Sequence, residues 1–255
     1  MKKPSNDSLK LAPKLHPFVK EVIDNKRLLF ELSHGLGSPL NLVFPQLIVE
    51  NKQRFLEVFR RHQVLGKVYF AHKTNQSSSL VRQLAIESDS YIDVASVGEL
   101  RHALTCGFTG DKIGATGPKT IEFLQLCVQH GVLISVDNLQ EIDQIASITA
   151  KLQKTVKITI RLSGFISENV KVLTKPSRFG IPISDIDGVL SRISENPRIK
   201  LTGFAFHLDS TAVKERVVAI ESLIGFIDKA EANGFSPNLI NIGGGYKVNY
   251  LESQT

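Results

Sequence analysis

The stretch Val68-Tyr69-Phe70-Ala71-His72-Lys73-Thr74-Asn75 decides how the rest of the chain reads. Four consecutive apolar or aromatic residues make a short strand fit to be buried on both faces, and a lysine follows one residue beyond its C-terminal end, after His72. Apolar, β-branched runs of the same kind occupy 67–71, 92–95, 113–115, 133–136, 156–162, 201–208 and 239–242. Between most of them lie amphipathic, helix-length stretches at 79–88, 98–106, 120–130, 140–150 and 213–233. About seven strands alternating with helices predict parallel βα units.

A doubly wound sheet and a closed barrel share this pattern. No GxGxxG follows the first strand, which removes the commonest signature of the nucleotide-binding sheet. Polar residues stand just past nearly every strand: Lys73, Ser96, Thr116, Asp137, Arg161, His207 and Gly243. Chemistry drawn from many strand ends is what the C-terminal rim of a TIM-type (β/α) barrel provides. The sequence therefore predicts an α/β barrel with about seven of eight strands, because no eighth is visible. It occupies 35–255, led by a short strand at 39–44 and preceded by a polar, proline-punctuated arm or short helix over 1–34. A helical repeat of Leu47, Ile48, Phe55, Val58 and Phe59 follows the leading strand.

Composition narrows the function classes. The 255 residues carry a formal charge of +6, spread over many predicted helices and without an aromatic-interleaved basic stripe, so nucleic acid is not an expected partner. The N-terminus has two lysines but no apolar run behind them, and no stretch approaches the ~18 apolar residues of a membrane span. A cytoplasmic protein is the expectation. Cys106 and Cys127 lack metal-ligand spacing and read as reduced, buried thiols; no metal site is expected.

Several residues suit chemistry at the rim. Lys73, partly desolvated beside a barrel wall, would supply the neutral amine that imine formation needs; the same position also suits an ordinary surface lysine. Gly243, Gly244 and Gly245 follow the strand at 239–242, where missing side chains let an anion approach backbone N–H groups; a plain turn is the alternative. In the segment 203–210, alternation puts Ala205 and His207 on one face. His207 could stack on an aromatic cofactor, and Ser210 could donate to a phosphate or phenolic oxygen. Asp93 could orient a charged partner inside the barrel, where an unpaired carboxylate is costly. Glu99 reads better as a first-turn carboxylate meeting the helix dipole. Arg161 is a candidate cation facing the barrel centre, and 175–181 forms a basic, glycine-terminated loop that could close on a ligand.

Taken in order, these segments resemble the fold-type III pyridoxal-phosphate decarboxylases, the diaminopimelate, ornithine and arginine decarboxylase group with its alanine-racemase-like barrel. YFAHKTN is similar to that family's Y-A-V-K-A-N, and IDVASVGEL to its strand-plus-helix motif. SRFGI resembles K-F-G-[IL], GFAFHLDS resembles G-[LF]-x-[FC]-H-[IV]-G-S, and NIGGGY resembles D-[IL]-G-G-G-[FY]. The resemblance implies pyridoxal 5′-phosphate as cofactor and a Schiff base through Lys73. It implies His207 against the pyridine ring, Ser210 with Gly243, Gly244 and Gly245 at the phosphate, and Asp93 and Arg161 lining the site. The reaction implied is decarboxylation of an amino-acid substrate, with the ring as electron sink. Racemisation and a non-catalytic cofactor- or partner-binding regulator are the alternatives.

Some positions depart from the family's pattern. His72 and Thr74 flank the lysine where small or apolar residues are usual, Asp209 replaces a glycine, and Asn241 a frequent aspartate. The family's E-P-G-[RK] motif is not found, nor the C-terminal β domain that completes a homodimer. The expectation is an N-terminal portion of a longer dimeric protein that is inactive by itself.

Overall fold

The computed structural model describes residues 12–165 and 177–251, which fall into two compact units. The larger, Pro45–Gly245, holds the sheet. Its strands are β1 (Tyr69–Ala71), β2 (Tyr91–Val94), β3 (Ile113–Ala115), β4 (Leu133–Val136), β5 (Val156–Ser163), β6 (Ile181–Pro182), β7 (Ile199–Ala205) and β8 (Leu239–Asn241). The helices of the chain are α1 (Pro17–Asp24), α2 (Lys26–Leu36), α3 (Pro45–Arg61), α4 (Ser78–Ala85), α5 (Val97–Thr105), α6 (Ile121–His130), α7 (Leu139–Leu152), α8 (Ile186–Ser194) and α9 (Val213–Ala232).

Every paired neighbour in the sheet is parallel, and the order β1-β2-β3-β4-β5-β7-β8 follows the chain, with β6 paired beside β5. A doubly wound sheet reverses its order at a switch point. This one never does, so it winds in one direction as the wall of a (β/α) barrel. The seven strands read from apolar runs are all present. The two-residue β6 is too short to leave a periodic signal.

Parallel strands covered on both faces need continuous apolar runs, and all three residues of β3 and the last three of β4 are buried. The helices meet them with stripes at helical spacing, such as Phe123, Leu124, Cys127 and Val128 in α6, or Ile142, Ile145 and Ile148 in α7. Each such side chain contributes about 1.5–3 kcal/mol through burial. Both cysteines are free and buried within this layer, as composition suggested. Gly203 in β7 is a packing requirement: a Cβ there would stand 1.8 Å from the Leu239 carbonyl oxygen, so a side chain would push β8 off the wall.

Two N-termini carry capping boxes that set the direction of chain entry. Ser96 accepts from the Glu99 N–H while Glu99 Oε2 accepts from Ala95 N–H, at 3.2 and 2.8 Å. Asn138 and Glu141 repeat the arrangement before α7. Glu99 is thus the helix-start carboxylate of the blander reading. Among the described residues, no helix is long and apolar enough to cross a membrane.

The smaller unit comprises the described residues up to Phe44 and from Tyr246 onward. Here the sequence reading needs correction. Residues 39–44 form no strand, and α1 and α2 fill most of the segment read as an arm or short helix. The boundary placed between 34 and 35 falls inside α2. Pro39, which follows a cis peptide bond, has no N–H for a ladder, and Pro45 opens α3 at once. An apolar run without a neighbouring strand stays irregular. Pro13 and Leu251 form an isolated antiparallel bridge within this unit.

Candidate functional site

The registers bring the strand ends to one rim. Ala71 pairs with Asp93, Asp93 with Gly114, Val136 with Ile160, Arg161 with Ala205, and Ala205 with Asn241. Residues one or two steps beyond these pairs therefore gather at the C-terminal edge of the wall. Lys73, Thr116, Asp137, His207 and Gly243 all belong to that set.

Lys73 sits exposed in a 3₁₀ turn, His72–Thr74, that begins as β1 ends. On the neighbouring strand, the partly buried Asp93 accepts a hydrogen bond from Thr116 Oγ1 at 2.9 Å. Burial raises the Asp93 carboxyl from 3.8 to about 6, against the Thr116 hydrogen bond and the positive charge of Lys73. Arg161 on β5 reaches Asp137 Oδ1, just past the end of the neighbouring β4, at 3.1 Å, and its guanidinium lies 5.1 Å from the Phe179 ring centroid. The same Asp137 oxygen accepts the Gly180 N–H at 3.1 Å. The loop read at 175–181 is thereby tied to the rim from Ser177 onward; Lys175 and Pro176 lie outside the described residues.

His207 follows β7. Its imidazole is held below the ordinary value of 6.5 by burial, then by the positive charges of Arg161, Lys73 and Arg216, with Asp209 opposing. An imidazole kept from adding its own positive charge, within the field of three cations, leaves this end of the wall suited to an anion. Gly243 adopts φ +69°, and a Cβ on it would stand 2.8 Å from Phe206 O and 3.1 Å from His207 Nδ1. Only a bare backbone fits so close to His207. Gly244, by contrast, faces open space. Asn241 Oδ1 accepts the Gly243 N–H at 2.9 Å and so shapes this loop, a task an aspartate oxygen would perform equally. Ser210 Oγ accepts from Ala212 N–H at 3.0 Å, and its hydroxyl hydrogen is left to donate elsewhere.

Sequence reasoning missed two participants. Asp137 was noticed only as a polar strand end, though it is 5% exposed and joins Arg161 to Gly180. Arg216 in α9 was not singled out. It is 3% exposed and donates to the carbonyls of Ser210, Ile242 and Gly244 at 2.9, 3.3 and 2.6 Å. An arginine in the first turns of an amphipathic helix reads as a solvated-face charge, so no local signal marks it. Among the described residues, no grouping of His, Cys, Asp and Glu is arranged to hold a metal ion.

Residues 46–255 match the pyridoxal-binding domain of the pyridoxal-dependent decarboxylases. An uncharacterized protein of Sinorhizobium fredii, y4yA, is 33% identical over 228 residues, covering 88% of this chain and 48% of that protein. Diaminopimelate decarboxylase of Halalkalibacterium halodurans is 27% identical over 236 residues, covering 88% of this chain and 54% of the enzyme. Among solved structures, diaminopimelate decarboxylase of M. jannaschii in complex with L-lysine superposes with a TM-score of 0.78 at 24% identity, covering 89% of this chain and 55% of that one. The likeness to that structure is one of fold. The chain spans about half the length of the curated relatives it matches.

Proposed function

Because this chain belongs to the pyridoxal-dependent decarboxylases, whose pyridoxal-binding domain it matches over most of its length, we propose that it is the cofactor-binding barrel of an amino-acid decarboxylase-like enzyme, anchored through Lys73. The family's cofactor is pyridoxal 5′-phosphate. The observation that carries the reading is His207 packed against a glycine loop whose first residue tolerates no side chain.

The residues fit that group. Backbone without side chains at Gly243, Gly244 and Gly245, with the Ser210 hydroxyl, suits a phosphate monoester. His207, kept neutral, offers a flat aromatic face instead of a further positive charge. Bound there, the pyridoxal ring supplies an electron sink for the pair left when CO2 departs. The chain's own side chains do the rest. Lys73 Nζ is the covalent anchor. Asp93, on the strand beside it and poised to titrate near about 6, holds or releases a proton close to that nitrogen. Arg161, steadied by Asp137, lines the site on the β5 side. The small amino-acid substrate, a cytoplasmic location and a homodimer belong to the same reading.

The test is covalent mapping. Incubation with pyridoxal 5′-phosphate followed by borohydride reduction should place the label on Lys73, and Lys73→Ala should lose it. A label on another lysine, or an unchanged yield in Lys73→Ala, would exclude this anchor. CO2 release separates decarboxylation from racemisation, which chiral analysis of the amino acid reports.

A further inference from the structure

Arg216 ties together the two loops that the proposed function assigns to the phosphate. Its Nη2 donates to Ser210 O at 2.9 Å and to Gly244 O at 2.6 Å, and its Nη1 donates to Ile242 O at 3.3 Å. The residue is 3% exposed, so the charge is held away from bulk water. Burying a guanidinium is costly, and three carbonyl oxygens repay part of that cost. A charge held this close to three peptide oxygens acts on the peptide units that carry them.

The peptide geometry sets where that charge acts. Among the described residues the only cis bond is Ser38-Pro39, so the units that accept from Arg216 are trans and planar. In such a unit the N–H points opposite to the C=O. The carbonyls of Ser210, Ile242 and Gly244 share their units with the N–H groups of Thr211, Gly243 and Gly245. Gly243 N–H is already given to Asn241. A cation at the oxygen end of the other two units polarises Thr211 and Gly245 N–H into stronger donors on the opposite side. The charge also reaches His207, whose ring it helps keep neutral.

We propose that Arg216 is the positioning residue of the phosphate cradle: from behind the Ser210 and Gly243–Gly245 loops, it sets their spacing and makes affinity for a phosphate monoester depend on its charge. This rests on the proposed cofactor site. The loops supply the contacts, and Arg216 acts through them.

The experiment uses pyridoxine 5′-phosphate and pyridoxine, which lack the aldehyde and so bind independently of Lys73. Calorimetric titration of this chain should show tighter binding of the phosphorylated form. Arg216→Gln keeps a donor for the carbonyls but removes the charge. It should weaken the phosphorylated ligand about tenfold or more, equivalent to about 1.4 kcal/mol, and leave pyridoxine unchanged. Arg216→Lys should recover part of the loss. An unchanged ratio of the two affinities in a folded Arg216→Gln variant would overturn the proposal. A wild-type measurement covers a variant that does not fold: the Thr211 and Gly245 amide proton resonances should move downfield with pyridoxine 5′-phosphate and not with pyridoxine. Amides that do not respond to the phosphorylated ligand would also overturn it. Equal binding of both ligands by the wild type is a different result, and it would remove the phosphate site itself.

Discussion

His72 Nε2 stands 2.7 Å from His102 Nδ1, so the residue directly before Lys73 is tied by its imidazole to α5. On the far side, His102 Nε2 meets Ser78 Oγ at 2.8 Å and Cys106 Sγ at 3.5 Å. A concavity of about 220 Å³ opens beside the pair, lined by His72, Gln76, Ser96, Gly98, Glu99 and His102. Two facing ring nitrogens at that separation share one proton, and protonating both rings would set N–H against N–H. The 3₁₀ turn bearing Lys73 is therefore pinned to α5 through the residue that precedes the lysine.

That contact predicts a pH dependence. Burial lowers the His72 pKa below 6.5; Glu99 opposes the shift and His102 reinforces it. Between the lowered value and 6.5 the unfolded chain binds more protons than the folded one, so stability falls as pH drops through that window. The lowered His207 contributes with the same sign. Urea midpoints at about pH 7.5 and about pH 5.5 should lie closer together in His72→Gln than in the wild type. Equal separations would mean that His72 does not titrate on unfolding.

Asp93 has the opposite sign. Its carboxyl is raised from 3.8 to about 6, so between those values the folded state binds more protons and stability declines as pH rises. Above about 6 the protein holds a charge that burial disfavours. Asp93→Asn should raise the urea midpoint of the cofactor-free chain at neutral pH and remove the decline. A lower midpoint in the variant would show that Asp93 stabilises the apo fold through its partners Thr116 and Lys73.

The glycine loop offers a paired test. Gly243→Ala places a Cβ 2.8 Å from Phe206 O at a φ of +69°, and should cost about 1–3 kcal/mol in chemical denaturation. Gly244→Ala meets open space and should change stability by less than about 0.5 kcal/mol. If phosphate approaches the backbone there, Gly244→Ala should still weaken pyridoxine 5′-phosphate binding. Full affinity in that variant would move the phosphate elsewhere on the loop.

Lys119 and Glu141 form a buried node beneath the β3 and β4 ends, with side chains 0% and 2% exposed. Glu141 accepts from Lys119 Nζ at 3.2 Å, Lys119 N–H at 2.9 Å and Asp137 N–H at 2.9 Å. Removing one partner leaves the other charge buried, at about 3–5 kcal/mol. Lys119→Met should therefore lower stability by that order and, because Asp137 hangs from the same carboxylate, loosen Arg161. A urea titration and the Arg161 side-chain NMR signals report the two effects.

Much of this is legible in the sequence. The runs at 92–95, 113–115 and 133–136 meet their strands within a residue, because a parallel strand packed among helices is apolar over most of its length, with Asp93 and Ser135 as the polar exceptions. Lys73, Asp93, Arg161, His207, Ser210 and the glycine triplet were picked out because strand ends and missing side chains are local features. The strand expected at 39–44 failed for a non-local reason: a strand exists only with a hydrogen-bonding neighbour, and a run punctuated by Pro39 and Pro45 has none.

The sequence by itself determined the βα alternation, the single-barrel reading and the candidate residues at the rim. Periodicity, turn chemistry and motif order are written within a few residues of one another. Only the tertiary structure decided what joins those residues. Arg216 reaches Gly244 across 28 positions, His72 reaches His102 across 30, and Asp137 meets Gly180 across 43. Such pairings depend on which loops the barrel wall brings together. An arginine or histidine on an amphipathic helix carries the same local pattern whether it faces water or a buried carbonyl, and packing alone separates the two.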